Sequence, residues 1–126
     1  MIIIDSCGWL EHFLAGPLAA AYAPYLEQPD QLVPTIVMYE VYKTIRRQVS
    51  VVQADLATIR LTTHQVIPLD EAVALAAAEE SLEHGLSLAD AVVYATARMH
   101  SATVVTSDEH FAQLEHVNYI PKEAEG

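Results

Sequence analysis

The apolar positions of this chain change period repeatedly, and each change marks an element. Ile2-Ile3-Ile4 is a continuous β-branched run at the start. Such a run predicts a strand buried on both faces, at the centre of a parallel sheet. "SCGWLEHFLA" and "PLAAAYAPYLEQ" follow with helical spacing, and Pro24 is expected to break or kink the second. Leu32-Val33 reads as a short strand before Pro34. Thr35 is a candidate N-cap for a helix running to about Gln48. "VVQADLATIRLTTH" is a second amphipathic stretch, with Val52, Leu56, Ile59 and Thr63 on one face. "QVIPL" predicts a strand. "DEAVALAAAEESLEHG" predicts a helix with acids in its first turn and Gly85 as its stop. "SLADAVVYATARMHS" predicts another helix, "TVVT" a strand, "DEHFAQLEH" a short helix and "VNYI" a last strand before Pro121. The tail "KEAEG" reads as frayed.

Strands thus alternate with helices throughout. That order predicts an α/β fold of three layers, α/β/α, around a mostly parallel central sheet. The length of 126 residues suits one domain over 1–126, with 121–126 as a flexible tail. Composition narrows the class. Apolar residues make up 52 %, too many for a disordered chain. No apolar stretch approaches the ~20 residues that span a bilayer, so no membrane role is expected. The N-terminus has neither a basic region nor a small-residue cleavage site, so it does not read as a signal peptide. The single cysteine, Cys7, can form no internal disulfide, which fits the cytoplasm.

The chemistry lies in four acids. Glu40 sits inside the apolar run of "TIVMYEVYKTIRR", five residues past the expected cap and too far to serve it. A buried, unpaired carboxylate costs several kcal/mol, so Glu40 either faces water or meets something positive. Asp5 ends the first strand, where ligands of open α/β sheets bind; it could equally cap the next helix. Asp108 follows "TVVT" and carries the same two readings. Ser87 and Asp90 match an S-x-x-D capping box, which leaves Asp90 free for a second role. If all four met in one crevice they could not all ionise unaided. A divalent cation resolves this, and oxygen-only donors select Mg²⁺ or Mn²⁺ over zinc. The six histidines show no ligand spacing and read as surface or helix-end residues.

At these residues the sequence resembles the PIN-domain ribonucleases, and among them the VapC-type toxins of toxin–antitoxin pairs. The matching pieces are "MIIIDSCGWLEHF", "PTIVMYEVYKTI", "GLSLADAVVYATARMHSATVVTSDEHF" and "VNYI", in the family's order from Met1 to about Pro121. The resemblance implies a PIN-like domain, with Asp5, Glu40 and Asp90 as central metal ligands and Asp108 as a fourth acid. It implies that Ser6 and Thr106 orient those carboxylates. The expected activity is metal-assisted hydrolysis of an RNA phosphodiester by an endoribonuclease, leaving 3′-hydroxyl and 5′-phosphate ends. It also implies a VapB-type antitoxin, whose C-terminal segment places a basic side chain among the acids, and a homodimer through residues 35 to 64. Two positions depart from the pattern. Cys7 stands where Ser or Asn is common, and Gly8 where an aliphatic is common.

The net charge of −11 runs against a nucleic-acid partner, which normally meets a basic footprint. The four site acids carry −4 of it, and Mg²⁺ would cancel that share. Lys43, Arg46 and Arg47 cluster within two turns after Glu40 and are candidate contacts for RNA phosphates; an ordinary solvated face is the alternative. Trp9, Tyr39 and Tyr42 are candidate apolar walls for an antitoxin segment. Rival enzymes fit poorly. A phosphatase using a strand-end Asp needs a second Asp where Cys7 stands. A receiver domain needs paired acids and a late strand-end Lys, and a cysteine phosphatase needs Arg where Phe13 stands. The rival in another class is a PIN-like binding or scaffold module with little catalysis.

Overall fold

A computed structural model describes residues 1–122; the tail residues beyond Lys122 lie outside the described part. Five short strands form the centre: β1 (Ile2–Ile4), β2 (Leu32–Pro34), β3 (Gln65–Ile67), β4 (Thr103–Thr106) and β5 (Val117–Tyr119). All pairings are parallel. β1 pairs β4 with Ile3 opposite Val104, β4 pairs β5, and β2 pairs β3. A single bridge from Ile2 to Gln31 joins the two sets, giving the order β3-β2-β1-β4-β5. The order reverses between β1 and β4, and that reversal opens a crevice at the carboxyl ends of those two strands. Every residue of β1 is buried, as its unbroken β-branched run requires.

Six helices flank the strands: α1 (Ser6–Phe13), α2 (Ala19–Leu26), α3 (Thr35–Gln48), α4 (Val51–Leu61), α5 (Glu71–His84) and α6 (Leu88–Met99). Their ends follow local chemistry. The Ser50 hydroxyl accepts the Gln53 amide at 3.1 Å to start α4. Asp70 accepts the Val73 amide at 2.9 Å to start α5, and Gly85 at φ +69° ends it. α6 is the most buried helix, with every residue from Ala91 to Ala97 inside. This apolar helix crosses the sheet and carries Asp90 in its first turn.

Several sequence expectations change. α2 runs unbroken through Pro24. The only main-chain bond lost is the one Ala20's carbonyl would accept, and both residues face solvent, where water replaces it. Thr35 begins α3 but does not cap it. Pro34 holds the N-cap position without a side-chain bond, and the Thr35 hydroxyl instead accepts the Leu69 amide at 3.1 Å. α4 buries the face opposite to the expected one. Ala54, Ala57 and Leu61 are inside, whereas Val52, Leu56 and Ile59 are more than half exposed. Small alanines let α4 lie close on α3, and close packing outweighs the area the larger residues would have buried. "DEHFAQLEH" forms only a 3-10 turn over Glu109–Phe111, anchored by fully buried Phe111.

Gly8 has a packing role. A Cβ there would lie 2.5 Å from the Tyr22 ring and 2.7 Å from Ile4. Overpacking of this kind typically costs 1–3 kcal/mol. Gly8→Val should therefore lower the melting temperature by roughly 5–15 °C in a thermal scan. An unchanged midpoint would mean that α1 and α2 are free to shift apart.

Candidate metal centre

The crevice between β1 and β4 gathers acids from four elements. Asp5 leaves the end of β1 and serves as N-cap of α1, so its main chain is fixed from both sides. Its Oδ1 accepts the Ser6 amide at 2.8 Å, and its Oδ2 accepts the Thr106 hydroxyl at 2.8 Å. It is 5 % exposed. Thr106 is the last residue of β4, and its Oγ1 also accepts the Asp108 amide at 3.0 Å. One hydroxyl thus ties the two strand ends together. Ser6 acts on Asp5 through its main-chain N–H.

Asp108 Oδ1 accepts both the His110 amide and the His110 ring Nδ1, each at 2.9 Å. Asp90 approaches from α6. Its neighbour Ser87 holds the N-cap position but makes no side-chain bond, so the expected capping box does not form. The Asp90 carboxylate turns to Asp108 instead, with Oδ2 3.9 Å from His110 Nδ1. Ligand atoms of Asp90, Asp108 and His110 all lie within 4.8 Å of one another, a group that could hold a metal ion. Glu40 comes from α3, half-buried, and its charge raises the pKa of Asp5. Among the described residues no cation pairs with Glu40; Lys43 lies over the Tyr39 ring, 5.1 Å from its centroid.

Electrostatics shows the strain of this gathering. Burial pushes the Asp5 pKa up to about 6 against the bonds from Thr106 and Ser6, and the charges of Glu40 and Asp108 add to the rise. Burial likewise raises Asp90 to about 7, reinforced by its bond to Asp108 and by the charges of Asp108 and Asp5. Burial would raise Asp108 too, but the bonds from the His110 amide, Asp90 and the His110 ring outweigh it and hold Asp108 below the usual range. Asp90 and Asp108 therefore titrate as a pair, with Asp90 pushed up and Asp108 held down.

These residues fit a divalent cation. Asp5 is an almost fully enclosed carboxylate with no cationic partner among the described residues. The donors are oxygens with one imidazole at the rim, a set suited to Mg²⁺ or Mn²⁺. His110 did not stand out in the sequence. Its signal is the D-x-H spacing after a strand, which lets an acid cap a tight turn and meet the imidazole two residues on. Cys7 is also closer to the site than its sequence position showed. Its Sγ lies 3.9 Å from Asp5 Oδ2 and 3.6 Å from Thr106 Oγ1.

The basic cluster follows Glu40 along α3. Lys43, Arg46 and Arg47 line an open groove of about 1030 Å³ between α3 and α4, together with Met38, Tyr39 and Ile59. No carboxylate pairs with these three cations among the described residues. Tyr39 is 57 % exposed and Tyr42 half-buried, so both can meet a ligand. Trp9 cannot; it is fully buried against Phe13 and beneath the Arg60 guanidinium.

The model of the PIN domain family matches residues 2–117 of the chain. Among solved structures, a toxin–antitoxin complex from Klebsiella pneumoniae aligns with a TM-score of 0.78 and 22 % identity, covering 95 % of this chain and all of that one. VapC20 of Mycobacterium tuberculosis, a sarcin–ricin loop cleaving toxin, aligns at 0.72 and 21 %, covering 90 % and 95 %. FitAcB from Neisseria gonorrhoeae aligns at 0.69 and 23 %, covering 96 % and 98 %. No curated protein matches the sequence. The chain belongs to the PIN domain family.

Proposed function

We propose that this PIN-domain chain is a Mg²⁺- or Mn²⁺-dependent endoribonuclease of the VapC type, a toxin acting in the cytoplasm and neutralised by a VapB-type antitoxin. The observation that carries this reading is the enclosed Asp5 carboxylate, facing Asp108, Asp90 and Glu40 at a strand-order reversal. A toxin–antitoxin complex among the structures of the same fold supports it. So does the RNA-cleaving neighbour.

In this reading Asp5, Glu40, Asp90 and Asp108 hold the cation. When bound, a divalent cation supplies Lewis acidity for the phosphodiester and an activated water. The chain's own groups do the rest. Thr106 and the Ser6 amide fix the Asp5 oxygens, and the His110 ring and amide fix Asp108. Lys43, Arg46 and Arg47 take the phosphates that flank the cleaved bond, with Tyr39 exposed beside them for stacking. The same acid crevice attracts a basic side chain from the antitoxin. Exposed Val52 and Leu56 on α4, outside the basic groove, give a homodimer through residues 35 to 64 an apolar surface to bury. Among the described residues no helix is long and apolar enough to cross a membrane.

The test is incubation of purified, antitoxin-free protein with total cellular RNA. Discrete fragments should appear with Mg²⁺ or Mn²⁺ and vanish with EDTA. Fragmentation that EDTA leaves intact would remove the metal from the reading. Replacing Lys43, Arg46 and Arg47 together by alanine should weaken RNA binding about 10-fold or more at moderate salt and flatten its salt dependence. Binding and salt slope equal to wild type would place the phosphate track elsewhere.

A further inference from the structure

The main-chain pairing of β1 with β4 ends just before the acids. Its last bond runs from the Asp5 amide to the Val105 carbonyl at 3.0 Å. Beyond it, β5 still bonds the Thr106 carbonyl from the Ile120 amide at 2.8 Å, but on the β1 side the segment that carries Asp108 is held by side chains. One clasp is the Thr106 hydroxyl already described. A second comes from α2, which contributes no acid. Tyr22 is fully buried, and its hydroxyl bonds the Ser107 hydroxyl across 85 positions of sequence. Ser107 is itself 2 % exposed, and its amide donates to Cys7 Sγ at 3.4 Å. Cys7 Sγ also lies 3.7 Å from the Tyr22 hydroxyl and 3.6 Å from Thr106 Oγ1. Gly8, one residue on, leaves the space that the Tyr22 ring fills.

We propose that Tyr22 is a positioning residue: through Ser107 and Cys7 it holds the loop bearing Asp108 in register with Asp5. The proposal rests on the nuclease reading for its consequence, since it concerns the geometry of that site. Tyr22 touches neither cation nor substrate. Its hydroxyl fixes Ser107, the Ser107 amide is fixed on Cys7, and Asp108 follows directly. A carboxylate at the end of an unpaired loop would otherwise sample several positions, and metal affinity depends on holding ligands in one. The ring alone would fill the space beside Gly8. The hydroxyl matters only to the clasp.

Tyr22→Phe keeps the ring and removes the hydroxyl; Ser107→Ala removes the other partner. In metal-free protein, exchange of the Ser107 and Asp108 amides, followed by NMR, should quicken about 10-fold in either variant. Mn²⁺ affinity by calorimetry should fall about 10-fold, the lower end of the range for groups that orient metal ligands. For RNA cleavage at fixed metal, kcat should fall with KM unchanged. The double variant should be no worse than Tyr22→Phe alone, because Ser107→Ala breaks a bond that the Phe variant has already lost. Wild-type exchange in Tyr22→Phe, or losses that add in the double variant, would overturn the proposal. The nuclease reading fails separately. If the wild type binds no Mn²⁺ and cleaves nothing, that reading is lost, while amide exchange still decides whether Tyr22 holds the loop.

Discussion

Asp5→Asn should abolish metal-dependent RNA cleavage and at the same time stabilise the metal-free protein. The two effects have one origin. Asp5 is the most enclosed of the four acids, and both its oxygens already accept hydrogen bonds. Asparagine keeps the size and one acceptor oxygen but carries no charge for a cation. Cleavage should drop on the order of 10³-fold, as expected when a central ligand of a catalytic metal is neutralised. The same change removes a carboxylate that is costly to ionise where it sits. At pH 8 the metal-free variant should melt several degrees above the wild type. A variant that loses activity by misfolding would melt lower, so the pair of measurements separates ligand loss from damage.

The second large effect is the pH dependence of the metal-free wild type. Asp5 titrates at about 6 in the folded chain against an ordinary value of 3.8. That difference corresponds to about 3 kcal/mol once both states are ionised. The folded-state value is the raised one, so the folded chain holds its proton longer. Stability is therefore fully present below about pH 4 for this group and is lost as pH rises through about 6. Asp90, raised to about 7, carries the loss in the same direction to higher pH. Metal-free protein should thus melt up to about 10 °C higher at pH 5 than at pH 8. Mg²⁺ or Mn²⁺ should recover much of the difference at pH 8, because a cation stabilises the ionised acids. Asp5→Asn should flatten the profile. A wild-type midpoint that rises from pH 5 to pH 8 without metal would contradict the shifts.

Much of this was legible in the sequence for identifiable reasons. The β-branched runs at Ile2–Ile4 and Val104–Val105 encode buried parallel strands, and a run of that kind has few other uses. Asp70 and Gly85 encode the ends of α5 through local bonds and local backbone freedom. Asp5 and Asp108 stand out as acids at strand ends and Glu40 as an acid inside an apolar run, although local spacing alone equally allows caps at the first two. What the sequence hid depends on distant partners. The face that α4 buries is set by how closely it can lie on α3, which side-chain size decides only when both helices are in place. Ser87 and Asp90 satisfy the capping pattern, yet Ser87 makes no side-chain cap and Asp90 lies within 4.8 Å of Asp108 and His110. His110, Cys7 and Tyr22 enter the site's surroundings through a loop, a thiol and a hydroxyl that carry no periodic signal. The question raised by Glu40 has the same form: its immediate neighbours are apolar, and the charges it faces come from β1 and its surroundings.

The most direct measurement is a calorimetric titration of Mn²⁺ into metal-free protein at pH 7.5, for the wild type and for Asp5→Asn. Saturable binding by the wild type, lost in the variant while the variant stays folded, is the expected result. No binding by a folded wild type, or equal binding by both, would mean that these carboxylates do not hold the cation on which the proposed chemistry depends.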